Sequence, residues 1–79
     1  MVAASVAQLP LAMAREGEDV RVVRVSGTTE MRRHLENLGF VEGAVVRVVT
    51  QGGDSGSIVR VKGAQLGLDR TICMHVFVC

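Results

Sequence analysis

Apolar positions along the chain follow two kinds of spacing. In Val20 to Val25, Ala44 to Thr50, Ile58 to Lys62 and Val76 to Val78, β-branched residues recur in short runs of strand length. That pattern marks pleated, half-buried segments. Between the first two runs, Met31, Leu35 and Leu38 stand at i, i+4 and i+7, which places them on one helical face. A helix is therefore expected from about Thr29 to Leu38. Ser26-Gly27-Thr28-Thr29 breaks the preceding strand and offers a hydroxyl as N-cap. Glu30 falls in the first turn, where the helix dipole favours an anion. Arg32 and Glu36 are spaced for a surface pair worth ~0.3 kcal/mol.

The stretch Leu35-Glu36-Asn37-Leu38-Gly39-Phe40-Val41-Glu42-Gly43 carries the most information. Gly39 is suited to the left-handed conformation that closes a helix, and Phe40 just beyond it can fold back onto Leu35. Gly43 then launches the strand Ala44 to Thr50.

The remaining segments read as short strands and turns. Leu9 to Ala14 is an apolar arm suited to covering one end of a barrel, and Glu16 to Asp19 is a polar turn. Strict alternation fails in Val20 to Val25, which predicts either a bulge or a strand buried on both sides. Residues 51–57 form a glycine-rich loop. In Ile58 to Lys62, Val59 and Val61 face one way and Ile58, Arg60 and Lys62 the other. Gly63-Ala64-Gln65 makes a turn, and Leu66 to Leu68 is a fourth strand. Asp69 caps a single turn through Arg70 to Met74, and Val76 to Val78 is the fifth strand. Five strands with one helix between the first and second fit a partly open barrel.

Composition narrows the function. Seventy-nine residues make one domain, which buries only about 60–65% of its unfolded surface. The chain is 48% hydrophobic, but it has two Phe and no Trp or Tyr, so its core is aliphatic. Net charge is +1, which speaks against a general nucleic-acid binder, since that needs a surplus of Lys and Arg. Two cysteines, Cys73 and Cys79, are too few for a disulfide framework and read as reduced thiols, Cys73 as a small core residue. No apolar stretch approaches the roughly 20 residues that span a bilayer. Met1 to Ala14 lacks the basic n-region of a signal peptide, and Pro10 interrupts it.

Candidate chemistry is sparse. Cys73, His75 and Cys79 lie close together, and Glu30 and His34 share a helical face. Neither set has the paired spacing of a structural zinc site. On a strand, Cys79 would lie about 13 Å from His75. No acid, base and nucleophile can be assembled into a catalytic set, so the chain is not expected to be an enzyme. Gly52-Gly53-Asp54-Ser55-Gly56 lacks the Gly-Lys-Ser/Thr end of a P-loop and reads as a hairpin loop. Arg60 and Lys62, joined by Arg47 from the neighbouring strand, form a basic patch suited to phosphate or an acidic partner. No aromatic residues accompany the patch for base stacking. Two other classes stay open at this stage: a small nucleic-acid-binding barrel, and a metal-responsive module using Cys73, His75 and Cys79.

From about Leu11 to Val78 the chain resembles the ferrous iron transport protein A (FeoA) family. The matching features are Leu11 to Glu18 ahead of the first strand, the Arg32 to Gly43 block, the valine strands, and Val61-Lys62-Gly63 followed by Leu66-Gly67-Leu68-Asp69. Residues 1–10 fall outside the match as an N-terminal arm, leaving 11–79 as the domain.

The resemblance implies a mainly β, SH3-like, partly open barrel of about five strands with one short inserted helix. It implies a small cytoplasmic accessory protein of bacterial ferrous iron uptake, peripherally associated with the inner membrane through its partner. That partner is FeoB, a membrane protein with a cytosolic GTP-binding domain and an iron-conducting domain. Iron is then handled by the partner, and no cofactor is expected here beyond weak metal binding. The protein is expected as a monomer or weak homo-oligomer, with neither nucleic acid nor membrane insertion. Within the block, Gly39 and Gly43 are conformational, and Leu35 and Leu38 are core. Arg32, Arg33, Phe40 and Glu42 are the candidate partner contacts: the arginines for an acidic surface, a partly exposed Phe for a groove. Cys73 stands where the family usually has a small residue such as alanine, and Cys79 is an additional thiol.

Overall fold

Valines at alternate positions turn inward along three consecutive strands. Val20 and Val22, then Val46 and Val48, then Val59 and Val61 are buried, while Arg21, Arg47 and Arg60 between them face outward. The computed structural model describes residues 8–79. Its elements are β1 (Leu9–Pro10), β2 (Asp19–Val25), α1 (Thr29–Asn37), β3 (Val45–Gln51), β4 (Ser57–Val61), β5 (Ala64–Leu68), α2 (Arg70–Cys73) and β6 (Val76–Val78). Single 3-10 turns follow β1 and β3. All strand pairs are antiparallel, and the sheet order is β1-β6-β2-β3-β4-β5. Leu11, Ala14, Leu35, Phe40, Leu68, Cys73, Val76 and Val78 complete the core.

The sheet has six strands rather than five. Leu9 and Pro10 pair with Val78 and Phe77, so part of the expected arm is an edge strand, where a proline missing its N–H is tolerated. Residues 1–7 of that arm, and with them the start of the segment considered as a signal peptide, lie outside the described residues. The irregular valines of β2 resolve as a bulge, with a register shift against β6 between Val22 and Arg24. β5 begins earlier than expected because the turn is tighter. Lys62 and Gly63 both have positive φ, 52° and 79°, the signature of a two-residue hairpin turn. Ala64 and Gln65 are therefore strand residues paired with Val61 and Arg60, and Lys62 leaves the β4 face.

α1 forms where expected. The Thr28 side chain accepts from the Met31 N–H at 3.1 Å. At the other end Gly39 (φ 109°) lets two bonds close the helix: Phe40 N–H to Leu35 O and Gly39 N–H to Glu36 O, both 3.0 Å. This is the paired closure that a left-handed glycine permits. Asp69 caps α2 by accepting from the Ile72 N–H at 2.8 Å. One partly buried polar link ties the N-terminal turn to the sheet. Ser57 donates its hydroxyl to the Gln51 side-chain oxygen Oε1, and the Gln51 side-chain nitrogen Nε2 donates to the Leu11 and Ala14 backbone carbonyls at 3.3 and 2.6 Å.

Candidate partner-docking surface

The helix closure decides which residues of the Arg32–Gly43 block reach solvent. Because Phe40 N–H returns to Leu35, the Phe40 side chain turns into the core and is fully buried. Phe40 therefore leaves the candidate contact set: its ring is a core residue, not an exposed anchor. Leu35 is buried as expected, and Leu38 packs against the core while half-buried. Gly39 and Gly43 both have positive φ, 109° and 86°.

Arg32, Arg33 and Glu42 are exposed. Arg32 and Glu42 come together across one depression of about 250 Å³, whose lining also includes Arg24, Glu36 and Val41. Arg33 sits one position around the helix, with Arg32, Thr29 and Glu36 along a shallower hollow. Arg32 and Glu36 do not close into an ion pair. Among the described residues, the ion pair is instead Arg47 to Asp19 at 3.3 Å, with both side chains 55% exposed. The result is a mixed-charge face on which guanidinium and carboxylate groups remain available to a partner.

A second, more apolar depression of about 320 Å³ lies between α1 and α2. Met31, Leu35 and Ile72 line it, with Thr28, Glu30 and His34 also on its wall. The Glu30–His34 pair thus contributes to an apolar groove. Sequence spacing gave no sign of this site, because Ile72 comes from a different helix.

The cysteine–histidine set does not assemble. Cys73 is buried, and Cys79 is exposed. His75 is half-buried, and its Nδ1 lies 3.0 Å from the Ser26 hydroxyl. Burial pushes the Cys73 thiol pKa above its ordinary value; contacts with Ser57 and Arg70 oppose the rise, and the nearby Asp69 charge adds to it. Among the described residues, no group of three or more His, Cys, Asp or Glu side chains is placed to hold a metal ion. Nor is any helix among them long and apolar enough to cross a membrane. The basic patch is reduced to Arg47 and Arg60, directly opposite each other in register.

The chain is similar in fold to several solved proteins. An iron uptake regulatory protein (FeoA) superposes with a TM-score of 0.84 at 24% identity, over 91% of this chain and 96% of that one. Stenotrophomonas maltophilia FeoA, a prokaryotic SH3 domain protein solved with zinc, matches at 26% identity with a TM-score of 0.79, covering 90% and 89%. A manganese-dependent transcriptional repressor matches at 22% identity with a TM-score of 0.81, but this chain spans only 40% of its length. No curated protein sequence matches. The fold is SH3-like and mainly β. The model of the FeoA domain family matches residues 9–79, which includes β1 and the whole sheet; the chain belongs to the FeoA domain family.

Proposed function

We propose that this protein is a small accessory of bacterial ferrous iron uptake that docks, in the cytoplasm, on a FeoB-type transporter. The observation that carries this reading is the FeoA domain match over residues 9–79. The S. maltophilia relative, described as a candidate ferrous iron transport activating factor, points the same way. The docking surface is the exposed face of α1 and the turn after it. Arg32 and Arg33 meet acidic groups on the partner there, and Glu42 meets a basic one. In this reading the iron is the partner's cargo, and the chain contributes binding energy and no chemistry of its own.

The test is binding to the cytosolic regions of a FeoB-type protein from the same source, with GTP hydrolysis followed in the same samples. Saturable binding weakened by Arg33→Glu supports the adaptor role. Changed hydrolysis makes it a regulator; binding without that change makes it an assembly factor. A folded sample that binds in no nucleotide state refutes the proposal.

A further inference from the structure

Among the described residues, β5 ends the sheet and no strand pairs with its outer side. The hairpin turn determines which groups point outward. Val61 and Ala64 flank a two-residue turn, so they form a hydrogen-bonded pair, and such pairs alternate along the ladder. Leu66 and Leu68 therefore bond inward to Val59 and Ser57. The N–H and C=O groups of Gln65 and Gly67 point away from β4. Among the described residues, no turn, loop or cap backbone bond reaches either residue.

The side chains beside this edge are chemically graded. Ile58 faces Gly67, and Arg60 faces Gln65. Ile58, 38% exposed, and Gly67 line a depression of about 330 Å³. Nothing lies within 4 Å of where a Gly67 side chain would begin. A glycine inside a strand weakens it and leaves room for another backbone to approach. Two residues along the same face, about 7 Å away, the Arg60 guanidinium leans over β5 and donates to the Gln65 side-chain oxygen at 3.2 Å. Among the described residues Arg60 pairs with no acidic side chain, and the one ion pair is Arg47 to Asp19. Asp69 borders the depression at the Leu68 end, where its carboxylate caps α2. The edge therefore runs from a carboxylate, past an apolar hollow, to a cation.

We propose that the β5 edge receives an extended segment of a partner protein, with an apolar side chain over Ile58 and Gly67 and a carboxylate two positions along at Arg60. The added strand satisfies the outward groups of Gln65 and Gly67 and supplies main-chain affinity. The alternate side chains supply the specificity. The reverse order would set the carboxylate beside Asp69 and is disfavoured. Outward N–H and C=O groups call for a peptide backbone, whereas a membrane or nucleic acid would need more cationic surplus than a net charge of +1. This surface is separate from the α1 face and does not depend on the iron-uptake reading.

The experiment is an amide-shift NMR titration of the full chain with a blocked heptapeptide of threonines carrying one leucine and, two positions on, one glutamate. A control peptide carries lysine in place of the glutamate. The expected result is saturable shifts at Gln65 and Gly67. The glutamate peptide should bind on the order of fivefold tighter than the lysine one, the size of a single exposed ion pair. Arg60→Glu should invert that preference. Gly67→Val, which has open space to occupy, should weaken both peptides without lowering Tm. Absence of shifts at millimolar peptide, or equal affinity for the two peptides, overturns the proposal. Saturable shifts from phosphatidylserine vesicles or an oligonucleotide but not from the peptide also overturn it, and assign the face to an anionic surface.

Discussion

The N–H of Phe40 donates to the carbonyl of Leu35 at 3.0 Å, and both side chains are fully buried. The bond that ends α1 thereby also places the largest core side chain. Phe40→Ala removes that ring from a packed site and is expected to cost about 3–5 kcal/mol, read as a fall in the urea midpoint. Arg33→Glu, on the exposed face, should stay within about 0.5 kcal/mol of the parent. The contrast separates docking variants from folding variants: lost binding in a Phe40 variant reports on the core and not on the surface.

The glycines should rank by what a side chain would meet. At Gly56 (φ 91°) an added Cβ would come against the Leu68 backbone oxygen, well inside van der Waals contact. At Gly39 (φ 109°) the nearest atom is the Lys62 Cγ at 2.8 Å, the middle of a flexible exposed side chain that can move. At Gly43 (φ 86°) nothing lies within 4 Å. Alanine at Gly43 therefore carries backbone strain alone, roughly 1–2 kcal/mol. Alanine at Gly39 should cost somewhat more, and alanine at Gly56 should cost most. Thermal melts of the three variants test the order, and a Gly43 variant less stable than the Gly56 variant would contradict it.

Local chemistry made much of this fold legible. Val59 and Val61 announced their strand by alternation, and Ala44 to Thr50 announced its own as a β-branched run. Thr28, Asp69 and Gly39 announced the helix ends through caps that need no distant contact. The parts that were not legible depend on partners far away in the chain. Leu9 and Pro10 become a strand only because β6, more than sixty residues on, presents an edge. Lys62 adopts a left-handed conformation that its residue type disfavours, and that lengthens β5 at the expense of the expected turn. Phe40 carries two sequence readings, one folding it back onto Leu35 beyond the Gly39 closure and one making it a partly exposed partner anchor. The first holds, since the Phe40 N–H bonds Leu35 O and the ring is fully buried; tertiary packing decides between the two. The groove between α1 and α2 was hidden for the same reason, since Ile72 reaches it through the tertiary fold.

Stability should fall at alkaline pH because of Cys73. Its thiol is buried and its pKa is raised, chiefly by desolvation. Below the ordinary thiol range, about 8.5, folded and unfolded chains both keep the proton and stability does not depend on this group. Above it the unfolded thiol ionises while the folded one stays protonated, so the unfolded state binds fewer protons and stability declines as pH rises. The decline continues until the folded pKa is passed, with a slope of at most about 1.4 kcal/mol per pH unit. Urea midpoints from pH 7 to 10 measure it. Cys73→Ala should flatten the profile relative to the parent, and an unchanged slope would assign the effect to other groups.

Gln51 and Ser57 should behave as one unit. The Ser57 hydroxyl donates to the Gln51 oxygen, and the Gln51 nitrogen holds the Leu11 and Ala14 carbonyls. Gln51→Ala strands the hydroxyl and both carbonyls in a partly buried site and should cost about 2–3 kcal/mol. Ser57→Ala strands a single acceptor and should cost about 1 kcal/mol. Once Gln51 is gone, Ser57 has lost this side-chain acceptor, so the double variant should be less destabilised than the two single costs added, by about 0.5–1 kcal/mol. The link also anchors the 3-10 turn Leu11–Met13 to the start of the glycine-rich loop. Hydrogen exchange at Ala14, whose N–H bonds Leu11 O at 3.0 Å, should therefore accelerate in Gln51→Ala by more than the global loss of stability explains. Acceleration equal to the global loss would mean that the turn opens only with the whole sheet.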